Sequence, residues 1–154
     1  MPPAPAVGFP AVKRPHTNIY WLAMAAAVGL VIGSIGPWVS VFDVTESGLD
    51  KDGVITLPAA LGAIAGLIHH DRQGTRGGLI ASLILGAIAA LITIIDYFDV
   101  SGEEDVLGQS ADLASVEWGL YLAVISAIAL FVTSLMLFLR HRREAGAAPP
   151  AAGA

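Results

Sequence analysis

The chain has 154 residues, of which 55% are hydrophobic and 14% charged, and its mean hydropathy is +0.71. Because soluble domains carry about 25% charged residues, this composition excludes an ordinary water-soluble domain. The absence of cysteine excludes disulfides and thiolate metal sites, and the formal net charge of −5 argues against nucleic-acid binding.

Four apolar stretches, taken in chain order, predict four membrane-spanning helices. Each approaches the roughly 20 apolar residues that a membrane helix needs, and the second, which is the shortest, is expected to stand nearly upright. The predicted spans cover residues 19–42, 54–70, 77–95 and 118–139. The Pro-rich segment 1–18 and the basic, then Ala- and Pro-rich segment 140–154 are predicted to be disordered tails. The sequence therefore predicts an all-α fold, an integral membrane four-helix bundle over residues 19–139.

The distribution of charge predicts which loops face the cytoplasm. The two tails and the loop between the second and third spans hold seven of the eight basic residues and two of the thirteen acids. The loops 43–53 and 96–117 hold Lys51 and the other eleven acids, so the two sides carry net charges of +5 and −10. Because basic loops stay in the cytoplasm, we predict cytoplasmic termini, two acidic outer loops and a location in the plasma membrane.

Side chains at the span ends are predicted to anchor the helices at the membrane surface. Arg76 and Asp96 flank the third span although both charges oppose the helix dipole, so topology explains them better than helix stability. Aromatic rings and arginines favour the headgroup region. The predicted anchors are Tyr20, Trp21, Trp38, Arg72, Arg76, Tyr97, Trp118, Tyr121 and Arg140. His69 and His70 are grouped with them, because adjacent histidines on a helix point in different directions and suit one metal poorly.

Small residues recur at four-residue spacing in every predicted span. Such stripes let helix backbones approach closely in a membrane. They are Gly29 and Gly33, Gly62 and Gly66, Ser82, Gly86 and Ala90, and Ala123 and Ala127. Two interpretations remain open: the stripes pack the four helices against one another, or one stripe is a docking face for a second copy or another membrane protein.

Gly36 and Pro37 lie inside the first predicted span. Proline has no N–H, so it removes a helical hydrogen bond to the carbonyl of Gly33, and its ring crowds the preceding turn. We therefore expect these two residues to kink the outer third of a helix that continues to Phe42.

The predicted membrane interior contains hydroxyl groups but no ionisable side chain. Proton relays, ion-coupled transporters and voltage sensors need ionisable groups at that depth. The sequence also lacks a P-loop and the GxSxG and HExxH motifs. We therefore predict a non-enzymatic protein without a cofactor.

The first acidic loop contains part of a calcium-loop pattern. Asp50, Asp52 and Gly53 match its middle, whereas the first Asp and the last Glu of the pattern are missing. Asp50 and Asp52 are candidate metal ligands on this basis. The alternative is a polar turn in which Asp52 caps the second helix.

Three short motifs resemble a known group of proteins. The segments 36–38, 52–57 and 117–122 read GPW, DGVITL and EWGLYL. They are similar to motifs in small, uncharacterised four-span membrane proteins of actinobacteria, with a phage-borne origin as an alternative. The resemblance implies a multi-pass plasma-membrane protein and supplies neither an activity nor functional residues.

Together these features favour an accessory or interaction subunit that docks through small-residue helix faces and an acidic outer loop. The expected partners are the lipid bilayer and a membrane protein or a second copy of the chain. One alternative is a small oligomeric channel or transporter. Another is an extracytoplasmic sensor of divalent cations, or an envelope or phage-exclusion protein.

Overall fold

A computed structural model describes residues 18–41, 44–106 and 114–146. Within these residues the chain forms four long helices, α1 (Asn18–Ile35), α2 (Gly53–Gln73), α3 (Arg76–Val106) and α4 (Trp118–Gly146). Each of the four is long and apolar enough to cross a membrane, which confirms the prediction of four such helices. α4 continues to Gly146, so the first part of the C-terminal tail is helical rather than disordered. The remainder of the two predicted tails lies outside the described residues.

The helices pack as a ring in which α1 and α3 each contact both α2 and α4. A tight turn at Gly74 joins α2 to α3. Gly74 has a φ of +66°, and its N–H donates a hydrogen bond to the carbonyl of His70 at 2.7 Å. Glycine adopts this left-handed conformation without a steric penalty, which is why it commonly ends a helix.

The first helix ends at Ile35, and Pro37 begins a strand. The prediction of a kinked helix that continues to residue 42 is therefore wrong. Proline cannot extend the helical hydrogen-bond ladder, and it disfavours a helical conformation at the residue before it, here Gly36. The β-branched valines that follow suit a strand.

Three short strands form a sheet at the end of the bundle where α1 ends. They are β1 (Pro37–Val41), β2 (Val44–Ser47) and β3 (Ala114–Val116), arranged antiparallel in the order β2-β1-β3. Val39 pairs with Glu46 on one side and with Val116 on the other. A short 3-10 helix, Gly48–Asp50, leads from the sheet into α2. Both predicted outer loops thus contribute a strand, and the all-α prediction lacked this sheet.

The third helix extends well beyond the apolar stretch that predicted it. That stretch ends at residue 95, whereas α3 continues through Asp96 and Asp99 to Val106. A helix of 31 residues is about 46 Å long at roughly 1.5 Å per residue. The apolar core of a bilayer is only about 30 Å thick, so the last turns of α3 exceed the length that a span requires.

The bundle buries many small side chains and exposes many large apolar ones. Its fully buried residues include seven alanines, namely Ala23, Ala27, Ala60, Ala63, Ala89, Ala123 and Ala127. Large apolar side chains such as Ile84, Leu91 and Ile125 are instead more than half exposed. A contiguous apolar exterior is unusual for a soluble monomer, whereas close packing of small residues is the ordinary way in which membrane helices associate.

The small-residue stripes meet one another inside the chain. A Cβ built at Gly33 would lie 2.6 Å from the backbone nitrogen of Ala123, and one at Gly29 would lie 2.5 Å from Ser126 Oγ. On the other side of the bundle, a Cβ at Gly66 would lie 2.7 Å from Ser82 Oγ. Gly62 and Gly86 similarly face Leu85 and Phe131, and Ala90, Ala123 and Ala127 are buried. The stripes are therefore occupied by packing between the four helices.

Candidate interaction surfaces at the two ends of the bundle

The two ends of the bundle differ in chemistry. We call the end that carries the three strands the sheet end. We call the opposite end, formed by the α2–α3 turn and the last turns of α4, the arginine end. Five exposed arginines lie there: Arg72, Arg76, Arg140, Arg142 and Arg143. The exposed acids of the sheet end include Glu46, Asp50, Asp52 and Asp99.

Trp38 joins the sheet to the end of α1. Its side chain is fully buried, and its indole Nε1–H donates a hydrogen bond to the carbonyl of Gly33 at 2.8 Å. The last carbonyls of a helix have no partner within the helix, so this indole caps the C-terminus of α1. The backbone of β1 is held as well, because Gly48 N–H donates to the carbonyl of Gly36 and Glu117 N–H to the carbonyl of Trp38, both at 2.9 Å. The prediction that Trp38 is an exposed membrane anchor is wrong.

The short 3-10 helix lies flat against the end of α1. A Cβ at Gly53 would lie 2.7 Å from the carbonyl oxygen of Ser34, and one at Gly48 would overlap the same atom and Trp38. The buried hydroxyl of Ser34 also hydrogen-bonds to that of Thr56 at 2.7 Å, which links α1 to α2. Nothing in the sequence indicated this pair, because the two residues are far apart along the chain. The junction of α1, the 3-10 helix and α2 is therefore packed without space for an additional carbon atom at Gly48 or Gly53.

The second strand has a free edge. Within residues 18–41, 44–106 and 114–146, β2 pairs only with β1, whereas β3 on the other edge of the sheet packs against α3. Val44, Thr45 and Glu46 are all exposed. Glu46 also forms an exposed ion pair with Lys51 at 3.4 Å. The result is a short strand whose outer backbone groups face away from the sheet.

The two candidate metal ligands of the first acidic loop, Asp50 and Asp52, contact other side chains of the protein. Asp50 accepts hydrogen bonds from the backbone N–H and the hydroxyl of Ser47, at 3.1 and 2.8 Å. Asp52 precedes α2 but makes no capping hydrogen bond through its side chain, so that prediction is wrong. Its carboxyl group instead lies beside that of Asp96 on α3. No group of three or more His, Cys, Asp or Glu side chains in the described part of the chain could hold a metal ion.

Aromatic rings surround the sheet end. The rings of Tyr97 and Tyr121 lie edge to face with centroids 5.8 Å apart, which connects α3 to α4. Tyr121, Trp118 and Phe98 are largely exposed, as membrane-interface rings would be. Phe98 was missed by the sequence prediction because it carries no polar group that marks an interface.

The arginine end carries a contact between two histidines. The rings of His70 on α2 and His141 on α4 lie edge to face with centroids 5.4 Å apart. His70 Nδ1 also lies 2.9 Å from the carbonyl oxygen of Thr75 in the α2–α3 turn. His70 is thus partly buried between helices rather than simply facing headgroups. Of the two predicted anchors at the start of α1, Trp21 is exposed, whereas Tyr20 is buried and therefore is not a surface anchor.

The last turns of α4 form a groove with mixed chemistry. Arg140 Nε donates to Glu144 Oε1 at 3.2 Å, so the charge of this predicted anchor is paired. The guanidinium carbon of Arg142 lies 6.0 Å from the centroid of the Phe138 ring. An open groove beside it is lined by Leu139, Arg142 and Arg143.

The buried hydroxyl groups mostly bond to backbone carbonyls. Ser82 Oγ donates to the carbonyl of Ala63 at 2.9 Å, which links α3 to α2. Thr93 and Thr133 donate to carbonyls one turn earlier in their own helices. Hydroxyls used in this way are part of helix packing, and they do not favour the channel alternative, which stays a prediction.

No protein-family model, curated protein or solved structure matches the chain. The resemblance to small four-span proteins of actinobacteria therefore also stays a prediction. The assignment of a function rests on the contacts and charges of the two ends.

Proposed function

We propose that the protein is a non-enzymatic, multi-pass protein of the plasma membrane that acts as an interaction subunit. Four apolar helices with small residues inside and large ones outside support a location in the membrane. The acidic sheet end and the basic arginine end support an orientation with the sheet end outside the cell. In this arrangement the sheet is the part of the chain that meets extracytoplasmic partners.

The free edge of β2 carries this proposal. An edge strand presents unpaired backbone N–H and C=O groups that pair readily with another extended segment. Here the edge is short and exposed, and the strand behind it is fixed through Trp38 to the end of α1. A fixed edge loses little conformational entropy when a partner strand is added.

Charge selects the partner. In the sequence, the two acidic loops 43–53 and 96–117, each of which contributes a strand to the sheet, carry eleven acids and a single lysine. A second copy of the same surface would be repelled, whereas a basic segment would be attracted and steered toward it. We therefore infer that the partner is a membrane protein with a basic, extended extracytoplasmic segment that pairs with β2.

The helices have a secondary part in this proposal. Their small-residue stripes are occupied by contacts within the chain, such as that between Gly33 and Ala123. Any contact with the partner inside the bilayer then uses large exposed side chains, for example Ile84 and Ile125. Such a surface adapts to many neighbours, so specificity comes from the sheet end.

Site-specific photo-crosslinking in native membranes tests the proposal. A photoreactive residue in place of Thr45, on the free edge, should give a covalent adduct that maps to a basic extended segment of one membrane protein. The same residue in place of Ile84, on the exposed face of α3, is the matched control and should not label that segment. Adducts at Thr45 that map to a membrane helix or an acidic segment, or no protein adduct, would contradict the proposal.

Charge reversal gives an independent test. Glu46→Lys should lower the yield of the Thr45 adduct several-fold, because it places a positive charge on the edge that receives a basic segment. Glu144→Lys changes the same charge at the arginine end and should leave the yield unchanged. Equal yields for the two variants would show that charge at the sheet end does not select the partner.

A further inference from the structure

The groove on α4 lies where the apolar part of the helix gives way to charge. Leu139 is the last residue of the apolar stretch that ends the fourth span, and the arginines follow within one turn. Leu139 remains substantially exposed beside the groove. In a membrane, this position corresponds to the boundary between acyl chains and headgroups, where arginine stems lie along apolar surface and their charged ends reach polar groups.

The two arginines of the groove differ from the third on the same helix. Arg140 is engaged with Glu144 on the next turn. Arg142 instead lies near the face of the Phe138 ring, and with Arg143 it contributes positive charge to the groove. A guanidinium near a ring face is attracted to it electrostatically, which favours this rotamer and lowers the entropy lost when a ligand binds.

The chemistry of this groove identifies its occupant. Guanidinium groups bind phosphate through paired hydrogen bonds, and an exposed leucine offers an apolar contact. Free phosphate or an acidic peptide would use only the charges, whereas a lipid would use both. We propose that the groove formed by Leu139, Arg142 and Arg143 binds an anionic phospholipid, with its phosphate at the arginines and the start of an acyl chain against the leucine.

This site is independent of the partner proposed for the sheet end, because it lies at the opposite end of the molecule. A lipid bound here would hold the last turns of α4 at the membrane surface. It would also be selected by charge, since a zwitterionic headgroup offers no net negative charge to the two arginines.

Native mass spectrometry of the full chain in detergent, titrated with phosphatidylglycerol or phosphatidylcholine, tests the proposal. We expect phosphatidylglycerol to bind the unmodified protein roughly tenfold more tightly than phosphatidylcholine, and Arg142→Gln with Arg143→Gln to remove most of this preference. The matched control is Arg72→Gln with Arg76→Gln, which removes the same charge from the same end outside the groove. Because Arg72 and Arg76 are themselves predicted headgroup anchors, this control should lose part of the preference, but several-fold less of it than the groove variant.

Two further measurements separate a lipid from its headgroup alone. Leu139→Asn keeps both arginines and should weaken phosphatidylglycerol binding several-fold, because the apolar contact is lost. Millimolar inorganic phosphate should not displace the lipid. The proposal is overturned by equal losses in the two double variants, by equal binding of the two lipids, or by displacement with phosphate. Retention of full binding by Leu139→Asn would likewise exclude the acyl contact.

Discussion

The sheet end and the arginine end close the same four helices in opposite ways. At the sheet end, Gly48 and Gly53 have no room for even one additional carbon atom, and Trp38 is fully buried. In the turn of the arginine end, a Cβ at Gly74 or Gly77 would meet no atom within 4 Å, although one at the next residue, Gly78, would overlap the carbonyl oxygen of Gly66. The junction of the sheet end is closed by backbone contacts, whereas the turn of the arginine end leaves open space around Gly74 and Gly77. A substitution that adds atoms should therefore be tolerated in this turn and not at the junction of the sheet end.

The largest effect is expected from a bulky side chain at a packed glycine. Gly33→Leu should cost more than about 3 kcal/mol, because its side chain meets the backbone of Ala123, which cannot move aside without separating α1 from α4. Gly77→Leu, at the open end, is the control and should change stability by less than about 0.5 kcal/mol. Unfolding of both variants by titration with a denaturing detergent would measure the difference. Similar stabilities of the Gly33→Leu and Gly77→Leu variants would contradict the difference in packing between these two sites.

The next effect concerns the indole that caps α1. Trp38→Phe keeps an aromatic ring but removes the donor to the carbonyl of Gly33. Leaving a buried carbonyl without its partner costs roughly 1–3 kcal/mol. The same unfolding titration would measure this loss, and Trp21→Phe, an exposed ring at the other end, should be nearly neutral. A neutral Trp38→Phe variant would show that the indole hydrogen bond does not stabilise the sheet end.

A smaller effect is expected at the hydroxyl pair between α1 and α2. Ser34→Ala and Thr56→Val should each destabilise the protein, and a double-mutant cycle should give a coupling energy of about 0.5–1.5 kcal/mol. The coupling reflects the hydrogen bond between the two side chains. Additive effects in the unfolding titration would instead mean that the two residues act separately.

The smallest effect is expected at the turn of the arginine end. Gly74→Ala should cost about 0.5–1 kcal/mol, because an alanine at a φ of +66° meets its own backbone rather than a neighbour. Gly77→Ala lies inside a helix with open space around it and should be neutral or slightly stabilising. A loss as large as that of Gly33→Leu would mean that this end is packed as tightly as the other.

The four helices were predictable from the sequence because a long apolar stretch is a local property. The end of α1 was not, since the apolar stretch continues past Pro37 into β1 and hides the change from helix to strand. The extension of α3 through Asp96 was also not predictable. The first polar residue marks the end of an apolar stretch, but a helix can continue past it.

The candidate sites depended on contacts between residues distant in the chain. Trp38 was predicted to be a membrane-interface anchor because tryptophans near span ends usually are, but its burial depends on where the 3-10 helix packs. The contact between His70 and His141 likewise needs two helices that are far apart in sequence. The arginines at span ends were found because charge at the end of a span is again a local signal.

The connection between α1 and the sheet has a mechanical consequence. Gly36 alone separates the end of the helix from the start of β1. The Trp38 indole then ties the strand back to the helix at Gly33. Because the connection is this short, we expect the strand and the helix to rotate together. A change in the tilt of α1, such as a membrane helix undergoes when bilayer thickness changes, would therefore also turn the edge of the sheet.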